Sequence, residues 1–301
     1  MNSYLIISRQ IVFMFSLMSV GFLLSKLRLI NAEGTKTLAN ILIYCTTPIV
    51  VITSYMDRFT EEKALRLLLS FCLATLIHLL FILLAGMFRI KDPIIKNAAV
   101  IPNTGYMGIP LVSSVLGEEA VFYLSAFIAM NQLIIWTYCV SNLDPDYKIS
   151  YRQLFRTPIY YSILIGLFLF MTGINLPSLA SRALTSIKSL NTPLSMFVLG
   201  SYISRISFKQ AFKDIGKIYP SIVYRLLLFP CFALIMLKLL PESLNDIRLI
   251  AMICASSPTA FNVAFFAEKY GHDVVRSTEA VCISTLLCIL TIPLFSYLVL
   301  L

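Results

Sequence analysis

Charge is what this chain has least of. Asp, Glu, Lys and Arg make up 13% of its 301 residues, about half the share usual in a soluble domain. Hydrophobic residues reach 58% and the mean hydropathy is +0.85, more apolar surface than a soluble core could hide. Paired cysteines are missing too. Cys45, Cys72, Cys139, Cys231, Cys254, Cys282 and Cys288 fall inside or at the edges of apolar runs, with no C-x-x-C, so neither a disulfide framework nor a zinc site is indicated. They read as small apolar fillers. Neither H-E-x-x-H nor G-x-S-x-G occurs, which argues against an enzyme. No apolar run contains a carboxylate pair, so a carboxylate-based cation site is not expected, and neither a metal nor a cofactor.

What is present is apolar sequence in long stretches. Leu67 to Met87, Val121 to Val140 and Val281 to Leu301 are each long enough to cross a bilayer, which takes ~20 residues. Tyr4 to Leu24 is too long for a signal h-region and lacks a basic n-region. It runs into Lys26 without a small-x-small cleavage pattern, and so reads as a retained first helix. Segmentation gives about ten transmembrane helices, at 4–25, 36–56, 64–88, 95–116, 119–141, 157–174, 183–203, 217–239, 247–268 and 275–299. The expected fold class is an all-α integral membrane protein with short loops and no extramembrane domain.

The net charge of +9 is distributed by side. Lys26, Arg28, Lys36, Arg89, Lys91, Lys96, Lys148, Arg152, Arg156, Arg205, Lys209, Lys213, Lys217, Lys269 and Arg276 flank the odd-numbered loops. The other loops and their edges hold only Arg58, Lys63, Arg66, Arg182, Lys188, Lys238 and Arg248. Cytoplasmic loops carry the excess of Lys and Arg, so both termini are expected outside a cell membrane. The charge reads as orientation and not as a nucleic-acid site, and the compact loops suit a bacterial inner membrane.

The chain also resembles itself. Gly21 matches Gly166, and Thr47-Pro48 matches Thr192-Pro193. Arg66-Leu67-Leu68-Leu69, with Cys72 and Ala74, matches Arg225-Leu226-Leu227-Leu228, with Cys231 and Ala233; Pro102 and Gly117 match Pro258 and Gly271. Four pairs in one order indicate a doubled five-helix unit, residues 1–146 and 147–301. Because five is odd, the second copy enters the membrane from the opposite side, the inverted-repeat plan of many secondary transporters.

In that plan the substrate site lies where corresponding helices are broken. Helix four carries Pro102, Asn103, Gly105, Gly108 and Pro110, and helix nine carries Ser257, Pro258 and Asn262. A proline deletes a donor and clashes with the preceding turn, and groups freed in hydrocarbon must be satisfied by protein, water or ligand. Second half-helices are expected to begin after Pro110 and near Asn262. Their unpaired N–H groups and positive dipole ends receive carboxylates. Asn103 and Asn262 add amide donors, so the predicted ligand is a small organic anion. The alternative reading of these prolines is a kink that only helps helices pack.

These residues are similar to a known family. Asn103-Thr104-Gly105-x-x-Gly108-x-Pro110-Leu111, and later Ser257-Pro258 followed by Phe266-Ala267-Glu268-Lys269-Tyr270-Gly271, resemble the auxin efflux carrier family. That family includes plant auxin exporters and bacterial permeases for malonate or malate. The chain differs from the plant carriers at Asn262-Val263, where they have proline, and in lacking their long central loop. The resemblance implies that helices four and nine cross inside a moving transport domain. It also implies that helices one, two, six and seven form a scaffold that makes a homodimer.

Three further residues are candidates. His78 reads as the one ionisable side chain deep in a span, either a proton-coupling group or a neutral His bonded across helices. Asn131 and Gln132 are adjacent amides in mid-helix five, at least one of them facing the site. Arg9, Arg66 and Arg225 are expected near helix ends, reaching to the interface. The function expected is a secondary transporter, with a sodium-coupled carboxylate symporter or a non-transporting sensor as alternatives.

Overall fold

The computed structural model describes residues 3–148, 157–174, 176–207, 209 and 215–301; Arg152, Arg156 and Lys213, used above for orientation, lie outside them. The described chain is helical. The long elements are α1 (Ser3–Lys26), α2 (Ala32–Ser54), α3 (Glu61–Met87) and α5 (Glu118–Leu143), then α8 (Gly216–Lys238) and α10 (Val274–Leu300). Shorter ones are α4a (Pro93–Val100), α4b (Thr104–Leu116), α6 (Pro158–Thr172), α7a (Ser178–Ser189) and α7b (Asn191–Ser204). The set closes with α9a (Asn245–Ser256) and α9b (Asn262–Lys269). Among the described residues, six helices are long and apolar enough to cross a membrane: α1, α2, α3, α5, α8 and α10. Their outward faces carry Leu68, Leu76, Leu79 and Leu83 on α3 and Leu287, Leu290 and Leu294 on α10, an exposed apolar surface of the kind that lipid covers.

Local chemistry sets the ends. Thr60 accepts from Lys63 N ahead of α3, whose first turn holds Glu61 and Glu62, and acidic groups suit that dipole end. Asp92 caps α4a and Asp273 caps α10. Arg276 of α10 reaches Asp92 at 2.7 Å, tying the two starts together.

Three of the prolines inside helices are absorbed by wide turns. Leu42–Thr46, Thr104–Gly108 and Tyr224–Leu228 are single π-turns, and a proline follows each by two residues: Pro48, Pro110 and Pro230. The wider turn gives room for a ring that cannot donate and would strike the carbonyl four residues back. This corrects the expectation that helix four is broken at Pro110. The helix runs through Pro110, and the break lies earlier, at Ile101–Asn103.

Small residues set the closest approach in the bundle. A Cβ on Gly200 of α7b would lie 2.0 Å from Met18 O of α1, and one on Gly21 would lie 2.5 Å from Phe197 Cα. Without a hydrophobic force between helices in lipid, such backbone contact is what holds them together. Nearby, Thr46 and Thr47 of α2 both donate to Asn191 Oδ1 of α7b, at 3.2 and 3.1 Å. Gly166 of α6 lies under the Tyr55 ring. Gly200→Ala is expected to lower stability by about 1–3 kcal/mol through overpacking. Gly86→Ala, which meets open space, should leave the melting temperature in detergent unchanged.

Candidate functional site

Two broken helices meet inside the bundle. Ile101 precedes proline and is therefore extended, ending α4a at φ −95°, ψ 106°. Its carbonyl accepts from Ala260 N at 2.9 Å, and Asn103 N donates to Pro258 O at 2.8 Å. Pro102 and Thr259 thus face each other as one antiparallel bridge. Other freed groups are also answered. Thr259 N donates to Ser284 Oγ of α10 at 3.1 Å, and Pro102 O accepts from Asn131 Nδ2 of α5 at 2.9 Å. Each break supplies the partners the other needs, which is what allows non-helical backbone at this depth.

The two sides of the crossing differ in electrostatics. On one side, α4a and α9a present their carboxyl ends, where backbone carbonyls have no helical partner and the dipole is negative. Arg225 of α8 answers both. Its guanidinium donates to Ala99 O at 3.0 Å, to Val100 O at 3.4 Å and to Ala255 O, and it stacks 4.8 Å from the Phe81 ring centre. The side chain is fully buried. This corrects two expectations: Arg225 does not reach the interface, and His78 is not alone among deep ionisable groups. The available signal was depth, because Arg225 lies more than two turns inside an apolar helix. Arg66, its partner in the repeat, lies near the start of α3 and pairs with Asp246 at 2.8 Å and Glu62 at 3.1 Å.

On the other side, α4b and α9b present their amino ends to a cavity of about 460 Å³. Asn103 caps α4b, with Oδ1 accepting from Tyr106 N at 3.3 Å. Its Nδ2 is buried with no hydrogen-bond partner among the described residues. Of the residues picked out from sequence, Asn103, Gly105, Asn131, Gln132 and Asn262 line this cavity. Gly108, Pro110, Leu111, Ser257 and Pro258 do not. Gly108 packs near Leu124, Ser257 bonds back to Ile253 O, and Pro258 serves the bridge. Sequence reasoning missed the aromatic walls: Tyr106, Trp136, and Tyr202 stacked on Phe261 with ring centres 4.0 Å apart. The charged residues of the lining are Lys36 and Lys269; no Asp or Glu is among them. Lys269 Nζ stands over the Trp136, Phe266 and Tyr270 rings at 5.5–5.9 Å.

Behind the cavity wall, Asn131 links the crossing to His78. Asn131 Nδ2 also reaches Thr104 Oγ1 at 3.1 Å, and its Oδ1 lies 3.2 Å from His78 Nε2. A second amide pair braces α4a against α5. Asn97 Nδ2 donates to Cys139 O at 3.0 Å, within the α5 π-turn Ile135–Cys139, and Asn142 Nδ2 donates to Asn97 Oδ1 at 2.9 Å.

Helices broken and crossed within a bundle of membrane-length helices, over a cavity with polar and aromatic walls, define a multi-pass membrane protein that handles a small solute. The chain belongs to the Membrane transport protein family, that of the auxin efflux carriers: the family model matches it twice, over residues 6–146 and 145–296. It is a transport protein and not an enzyme. It is similar to an uncharacterized transporter of Methanocaldococcus jannaschii, 22% identical over 94% of this chain and 96% of the relative. A second uncharacterized transporter, from Methanothermobacter thermautotrophicus, is 25% identical over 93% and 94%. A Rhizobium meliloti protein named "Putative malonate transporter" is 23% identical over 95% and 93%.

Proposed function

We propose that this protein is a secondary transporter of a small organic anion, working by alternating access around the crossing of α4 and α9. The observation that carries the proposal is the asymmetry of the crossing. The negative helix ends are matched by the buried Arg225, while the positive ends face an acid-free cavity beside the Asn103 amide nitrogen, which has no partner among the described residues. That is a site for a carboxylate, held by N–H groups, amides and dipole without a fixed charge at its centre. The name of the Rhizobium meliloti relative agrees with a carboxylate.

In this reading the chain has ten spans as two inverted five-helix repeats, 1–146 and 147–301. α1, α2, α6 and α7 form the static scaffold and the homodimer contact. The cavity is lined by Lys36, Thr157 and Lys269, which flank positive loops, and so opens to the cytoplasm of a bacterial inner membrane. Single cysteines at Ser3 and Glu119 are then expected to react with an impermeant thiol reagent added outside intact cells, in a background lacking the native cysteines. One at Leu29 should not. Labelling of Leu29 from outside would reverse the orientation.

The reading is tested by counterflow of labelled malonate and a panel of monocarboxylates in proteoliposomes, each acid run beside its amide. Exchange of an acid with loss of its amide is expected, because each charge-assisted hydrogen bond forgone is worth about 1.5–3 kcal/mol. Equal exchange of acid and amide would remove the anion from the proposal. Binding without exchange would make the protein a sensor.

A further inference from the structure

His78 sits in an arrangement that a neutral imidazole cannot satisfy. Its Nδ1 lies 2.7 Å from Ala74 O and its Nε2 lies 3.2 Å from Asn131 Oδ1. Both oxygens only accept, whereas the neutral ring carries one N–H. The direction of the Asn131 amide is in turn fixed by its nitrogen, which donates to Pro102 O at 2.9 Å and contacts Thr104 Oγ1 at 3.1 Å. Turning the amide over would suit a neutral ring, but it would set Oδ1 against the Pro102 carbonyl and take away that carbonyl's donor. His78 is 1% exposed, so water does not make up the difference. Both ring nitrogens of His78 can donate to the oxygens they face only when the ring is an imidazolium.

Arg225 of α8, stacked on the Phe81 ring of the helix that carries His78, is itself a cation and offers the imidazolium no counter-charge. Among the described residues, no titratable side chain of α4a, α5 or α9a acts on the His78 ring. The charge on His78 is therefore held by the two carbonyl oxygens, and one of them belongs to an amide that also braces the crossing. We infer that His78 is a proton-binding site coupled to the crossing through Asn131. A proton is bound while Asn131 supports Pro102 and Thr104, and it leaves when the amide turns and lets them go. Because Thr104 and Asn103 begin α4b, the same rotation loosens the anion site. This rests on the transporter reading given above, and makes a proton the species whose movement accompanies the anion.

The first experiment does not need the substrate. The chain has two histidines, and His272, bonded to Leu143 O, can be replaced by glutamine so that His78 is the only one left. Ring-nitrogen NMR of the isotope-labelled protein in nanodiscs is expected to show an imidazolium at low pH that gives way to a neutral ring as the pH rises. The transition should move in Asn131→Leu, where the second acceptor is gone. A ring that is neutral in one tautomer throughout, or a transition unchanged in Asn131→Leu, overturns the inference. The second experiment follows pH inside proteoliposomes during malonate exchange. Proton flux accompanying malonate is expected, falling to background in His78→Gln along with a slower malonate rate. Malonate flux without proton flux in the unaltered protein also overturns the coupling. If neither malonate nor another acid moves, the transport proposal fails, and the NMR result alone decides whether His78 binds a proton linked to Asn131.

Discussion

Arg225→Leu is expected to abolish transport and to lower stability by about 2–4 kcal/mol. The variant keeps the apolar volume of α8 but leaves Ala99 O, Val100 O and Ala255 O buried without a donor. Each unsatisfied group costs roughly 1–3 kcal/mol, offset in part because a buried charge no longer has to be desolvated. Arg225→Lys should be intermediate. An ammonium supplies charge to both helix ends, but not the planar fork that reaches two helices at once. The measurements are melting followed by the fluorescence of Trp136, the chain's one tryptophan, and counterflow per folded protein. Full transport by Arg225→Leu would mean that the two half-helices hold their crossing without it.

Asn103→Ala is expected to reduce transport by about ten- to a hundredfold, the loss of one charge-assisted hydrogen bond of ~1.5–3 kcal/mol from a site that water cannot repair. Stability should fall by only about 1 kcal/mol, the usual value of an N-cap, because Tyr106 N loses its acceptor. Ser189→Ala, on exposed α7a, is the control. Asn142 would be a poor one, since its amide braces Asn97. A rate for Asn103→Ala equal to the control's would leave the crossing as a packing kink and move the search to Gln132 and Asn262.

These two residues show how far the sequence could be read. Asn103 was legible because an amide beside proline and glycine in an apolar run has few bland explanations. The helices were legible as well, since a run of ~20 apolar residues has little else to do. The position of the break was not. Pro110 and the glycines before it drew attention two residues and more past the true break, because a π-turn can swallow a proline and sequence patterns do not show which proline is swallowed. Arg225 was misjudged for a different reason. Its partners are backbone carbonyls about 30 and 125 residues away, and carbonyls leave no mark in a sequence. Tyr202 and Phe261 look like any other apolar positions until two helices bring their rings together. The polar contacts that build the crossing are non-local, and non-local pairing is what one chain's pattern records least.

The bridge between Pro102 and Thr259 also bears on how the protein is made. Its two strands are separated by about 160 residues, which a ribosome takes roughly 10–30 s to add. Over that interval the first half lies in the membrane with Ile101 O and Asn103 N lacking the partners they have in the finished protein. Synthesis therefore includes a period when the nascent chain is exposed to quality-control proteases, ending only when the second crossing segment arrives. Slow translation of the second half should lower the yield of this protein, and a chain truncated before Pro258 should be cleared from the membrane instead of accumulating as a stable half.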